Sequence, residues 1–222
     1  MSRYQTIARP QPGILEANTV LRNTYALLSM TLLFSAATAG LSMALDLPHP
    51  GIIVTLVGFY GLLFLTTKLR NSAWGILSVF ALTGFMGLTI GPILNLYIHN
   101  LHNGPQLVMT ALGGTGAIFI GLSAYALVSR KDFSFMGGML MAGILVAFLA
   151  GLAGLFFPMP GLQIAVSAMF ILLMSGMILF ETSNIIHGGE TNYILATVSL
   201  YVSIYNLFLS LLQILGIFGG DD

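Results

Sequence analysis

The chain has 222 residues, 57% of them hydrophobic and only 6% charged, with seven Lys or Arg against seven Asp or Glu, and its mean hydropathy is +0.95. Such a composition has too few polar groups to clothe a water-soluble core, and its zero net charge offers no basic face for nucleic acid. With no cysteine, disulfides, thiol chemistry and Cys-based metal sites are excluded.

The first 23 residues carry Arg3, Arg9 and Arg22 together with Pro10 and Pro12, and read as a polar, disordered tail on the cytoplasmic side. No cleavable signal peptide is expected, because the first apolar run follows Arg22 and is too long for a signal core, so the first helix stays as an anchor. Spans of about 20 apolar residues suffice to cross a bilayer. The sequence places seven, at 24–45, 52–67, 75–98, 106–128, 135–157, 162–180 and 193–218, so that 24–218 is one all-α transmembrane domain and 219–222 a short tail.

The connectors 46–51, 100–105 and 158–161 are rich in Pro and Gly, which end helices. The alternate links hold Lys68, Arg70, Arg130 and Lys131, so with Arg3, Arg9 and Arg22 every Lys and Arg falls on one side. Cations flanking spans mark the cytoplasmic face, which puts His49, His99, His102 and the terminal Asp221 and Asp222 outside. The link 181–192 has neither Lys nor Arg, so six helices with a cytoplasmic carboxyl end are the alternative.

Small residues four apart allow helix backbones to approach in lipid: Gly87 and Gly91, Ala36 and Gly40, Gly138 and Ala142, Gly143 and Ala147, and the 113–116 cluster. That cluster lacks a P-loop lysine and sits inside a span, so packing is expected of it and not phosphate binding.

Along the last span Asn192, Ser199, Ser203, Asn206, Ser210 and Gln213 recur at helical spacing, and the opposite edge is Leu, Ile, Val and Phe. An unpaired polar group in hydrocarbon costs several kcal/mol, so this stripe must face other helices or a hydrated cavity and the seventh helix should be central. Interhelical hydrogen bonding accounts for the serines; Asn206 has more polar atoms to satisfy. Glu181 is the one acid that could lie in the hydrocarbon, either as a functional group or as a solvated residue at the headgroup boundary. Asp132 reads as a solvated charge or a cap ahead of the fifth span.

Catalytic machinery is not visible. Ser123 in a Gly-Leu-Ser-Ala run superficially resembles an intramembrane protease motif, yet no histidine falls midspan to act as base. No His-Glu-x-x-His pattern exists, no pair of midspan aspartates exists, and His99 with His102 makes a poor metal site. No cofactor site is read.

The stretch FETSNIIHGGETNYILATVSLYVSIYNLFLSLLQILG resembles the signature of the Bax inhibitor family, also called the transmembrane Bax inhibitor motif or lifeguard group. LRNTYALLS, TLVGFYGLLFLT, KLRNSAWGILSVFALTGFMGLTIGPIL and RKDFSFMGGMLMAG extend the likeness over nearly the whole chain, towards the proteobacterial branch. The resemblance implies two three-helix layers around a polar last helix. It implies a non-enzymatic inner-membrane regulator that binds the FtsH membrane protease and limits its degradation of membrane proteins. The alternative it carries is a pH-dependent calcium or cation leak controlled by two acidic positions, which fall here on Glu181 and, within 200–208, on Ser203, with Tyr201 and Asn206 beside it. A serine cannot supply the second charge of a proton-sharing carboxylate pair, which weighs against that leak.

Overall fold

The computed structural model describes residues 14–157 and 159–219. They form seven long helices: α1 (Ile14–Ala44), α2 (Ile52–Leu69), α3 (Trp74–Asn100), α4 (Gly104–Ser129), α5 (Gly137–Phe156), α6 (Pro160–Ile186) and α7 (Tyr193–Gly219), with a 3-10 turn at Ser134–Met136. All seven are long and apolar enough to span a bilayer, which decides for the seven-helix polytopic reading over the six-helix alternative.

Two boundaries differ from the sequence expectation. Helix α1 begins at Ile14 and not at residue 24, because the run after Gly13 is free of Gly and Pro and the exposed Arg22 interrupts the hydropathy without breaking the backbone. Part of the expected tail is thus helical; the remainder, with Arg3 and Arg9, lies outside the described residues, as do Asp221 and Asp222. Helix α6 runs on to Ile186, so Glu181 is more than a turn inside it.

Helix α7 packs against α1, α3, α4 and α6, and touches α2. Its largest core cluster joins Leu27 and Leu28 of α1, Val79 and Leu82 of α3 and Leu200 and Tyr201 of α7. The α1 and α3 backbones come close: a Cβ on Gly87 would run into Thr38 Oγ1 and the Ser35 carbonyl, and one on Gly91 would lie 2.9 Å from the Ala39 carbonyl. Pro92 sits within α3 and cannot donate to the Leu88 carbonyl; Ser42 Oγ of α1 donates to it instead at 2.9 Å. The 113–116 cluster packs only in part: Gly114 meets Leu211 of α7 and Thr115 is buried. Gly113 and Gly116 have no atom near enough to contact an added Cβ, and Gly113 is exposed where lipid would lie.

Helices α2 and α5 are peripheral. The first rests on α3 and lightly on α7, the second on α6, and among the described residues they do not touch each other. The gap between them exposes one side of α7.

Candidate functional site

That gap is a crevice of about 750 Å³, walled by α2 and α5, backed by α3 and α6 and floored by α7. It extends from His49 at one end to Asn184 and Glu190 at the other, close to the full length of the helices. Glu181 reaches into it from α6 while only 8% exposed, enclosed by its neighbours and not solvated as a surface side chain. Its Oε1 accepts a 2.7 Å hydrogen bond from Ser199 Oγ of α7. Among the described residues no Lys or Arg lines the crevice.

The polar stripe of α7 is divided by its neighbours. Ser199, Ser203 and Asn206 line the crevice with Glu181. Ser203 Oγ donates to the Ser199 carbonyl at 3.0 Å and the Asn206 amide to the Val202 carbonyl at 2.8 Å, so both bond their own helix. Asn206 Oδ1 accepts nothing from the described residues.

Tyr201 is placed elsewhere. It is 1% exposed and points away from the crevice, its hydroxyl 2.6 Å from Ser35 Oγ of α1 and donating to the Thr83 carbonyl of α3 at 3.3 Å. Ser210 is buried on α7 outside the crevice. Gln213 Oε1 accepts from Ser167 Oγ of α6 at 2.8 Å, beside a separate cavity of about 190 Å³ next to α5 and α6. Asn192 precedes α7 and caps it: Oδ1 accepts from the amides of Ile194 and Leu195 at 3.0 and 3.2 Å. Its side-chain amide donates to the Arg70 carbonyl and to Asn71 Oδ1, both at 3.0 Å, so one residue joins the α2–α3 link to the start of α7.

The basic residues gather at this same end. Ser183 Oγ donates to the Lys131 carbonyl at 3.1 Å and accepts from the Phe133 amide at 3.0 Å, and His187 Nε2 lies 3.2 Å from the carbonyl of Arg130. Arg130 closes α4 in the left-handed conformation, φ 49°. Lys68 lies in the last turn of α2 and Arg22 in α1. Asp132 Oδ1 accepts from the Ser134 amide at 2.8 Å, and this bond holds its carboxyl below the ordinary range.

The sequence did not single out Tyr205 and Thr89, whose hydroxyls lie 3.3 Å apart on the crevice wall, nor Ser167. Tyr205 stands next to Asn206, and its aromatic ring hid a polar tip that the stripe could have included. Ser123 Oγ is buried without a partner, and among the described residues no group of three or more acidic or histidine side chains could hold a metal.

The family model described as inhibitor of apoptosis-promoting Bax1 matches residues 17–220. Over 221 residues, all of both chains, the sequence is 57% identical to the modulator of FtsH protease YccA of Escherichia coli strain K12. It is 60% identical over 207 residues, 93% of both chains, to the uncharacterized protein PA2604 of Pseudomonas aeruginosa, and 54% identical over 195 residues, 88% of both, to the uncharacterized protein PM0402 of Pasteurella multocida. With seven apolar helices and a matched segment running through all of them, the chain belongs to the Bax inhibitor family.

Proposed function

We propose that this chain is a non-enzymatic inner-membrane regulator that binds an FtsH-type protease and slows its degradation of other membrane proteins. The supporting observation is 57% identity over 221 residues, covering 100% of both chains, to a protein named as the modulator of that protease. The cation-bearing end is read as cytoplasmic, with the amino terminus on that side and the carboxyl terminus opposite.

Occupation is the mechanism the chain suits. Residues 1–13 are polar and carry Pro10 and Pro12, and supply a handle that an ATP-driven protease can seize. Behind it stands α1, clamped to α3 at the Gly87 and Gly91 contacts and to α7 through Tyr201. Pulling on the handle therefore loads the most tightly packed part of the bundle, and the protease stays engaged without progress. The test is affinity capture from detergent-solubilised membranes with the full chain and with a chain lacking residues 1–13. Co-purification of the protease with the full chain, and loss of both inhibition and turnover on trimming, are expected. Unchanged inhibition by the trimmed chain would remove the occupation mechanism, and failure to co-purify would remove the partner.

A second reading is an ion leak along the crevice, favoured by the hydrogen-bonded Glu181 and Ser199 that line it. Ser203 stands where the family resemblance places a second acid, so a proton-sharing carboxylate pair cannot form. Cation flux into proteoliposomes from about pH 5 to about pH 8, lowered by Glu181→Gln, would support the leak; its absence at every pH would dismiss it.

A further inference from the structure

We propose that the crevice between α2 and α5 is a binding site for lipophilic organic cations, with the Glu181 carboxylate as counter-ion and the aromatic and methionine walls enclosing the apolar body. The proposal stands apart from the protease reading and concerns a different part of the molecule.

Size comes first. A volume of about 750 Å³ falls within the roughly 300–1,000 Å³ of pockets that enclose drug-sized molecules. The walls are of two useful kinds. Phe59, Phe148 and Phe170 contribute aromatic rings, a class of side chain whose faces attract cations, and Met141, Met174 and Met177 adapt to irregular shapes. A wall this apolar is expected to recognise shape loosely.

Charge supplies the selectivity. Glu181 is nine-tenths buried, has one hydrogen bond, from Ser199, and faces a crevice that no Lys or Arg among the described residues lines. A buried carboxyl without a cationic partner keeps its proton, and an arriving cation supplies the partner that lets it ionise, since ionisable groups at membrane depth normally pair. Asn206 Oδ1, an acceptor with no donor among the described residues, lines the same crevice from α7. The other titratable groups on the crevice are His49 at one mouth, Glu190 at the other and Tyr60 and Tyr205 on the walls, and none supplies a fixed positive charge beside Glu181.

Other occupants fit less well. A hard inorganic cation takes about six to eight oxygen ligands, whereas the described residues contain no group of three acidic or histidine ligands. A lipid chain would use the apolar walls and leave the carboxylate unmatched.

Tetraphenylphosphonium and tetraphenylborate, alike in size and opposite in charge, separate these possibilities. Equilibrium dialysis of the purified full chain in detergent, against detergent alone, should show saturable binding of the phosphonium at least about tenfold tighter than of the borate. Glu181→Gln, which keeps the shape, should weaken phosphonium binding by about tenfold or more and erase the charge preference. Met141→Trp, which narrows the crevice from α5, should weaken both ions and leaves Glu181 untouched should the first variant fail to fold. Equal binding of the two ions, no saturable binding, displacement of the phosphonium by millimolar calcium as the preferred ligand, or an unaltered Glu181→Gln protein would each overturn the proposal.

Discussion

The two sides of α7 use the same chemistry to different ends. Towards α1 and α3, hydroxyls bond across helices: Tyr201 to Ser35 and Thr83, and Ser42 to the carbonyl that Pro92 releases. Towards the crevice, Ser203 and Asn206 bond only within α7, while Ser199 crosses to Glu181 of α6 and Tyr205 to Thr89 of α3. Cross-helix bonds tie the first side into a rigid body. The second side keeps acceptors free for a ligand, and the helices beside it, α2 and α5, do not close over it.

The largest way to break this contrast is at the close contact. Gly87→Leu should wedge α1 from α3 against the Ser35 backbone and cost about 3 kcal/mol, read as loss of thermal stability in detergent. Gly113→Leu, made where nothing lies within contact distance, should change stability by less than about 0.5 kcal/mol. Hydroxyl deletion sharpens the comparison next. Tyr201→Phe should cost about 1 kcal/mol by stripping Ser35 of its partner, and Asn206→Leu on the crevice side less than about half of that.

Asn192→Ala removes a cap and a tether together and should cost about 1 kcal/mol, seen as faster hydrogen exchange at the Ile194 and Leu195 amides. The smallest effect is at Asp132. Its folded-state value lies below the ordinary 3.8, so the bond to the Ser134 amide contributes fully above about that pH and is lost as acid takes the carboxyl through its lowered value. Exchange at Ser134 should accelerate only below that window. Acceleration above it would contradict the assignment.

Much of this architecture was legible in the chain before any coordinates. Hydropathy located seven spans, and small-residue spacing identified Gly87 and Gly91 because close approach in lipid requires side chains to be absent. The same rule failed at Gly113 and Gly116, since spacing cannot say whether a helix face meets a neighbour or lipid. Arg22 hid ten residues of α1, because hydropathy registers charge and helix propensity does not. The stripe on α7 was visible as a period, but its division was not. Tyr201 turns to α1 and α3, Gln213 to Ser167 and Ser199 to Glu181, and each destination depends on residues far away in the chain.

Occupation is tested most directly by a degradation time course with reconstituted FtsH-type protease, a membrane-protein substrate and this chain as wild type, Gly87→Leu or Gly113→Leu. Wild type and Gly113→Leu should slow substrate loss while being consumed slowly themselves, and Gly87→Leu should be consumed quickly and protect little. Protection by Gly87→Leu equal to that by wild type, despite its lowered stability, would contradict the claim that the packed α1–α3 side is what holds the protease.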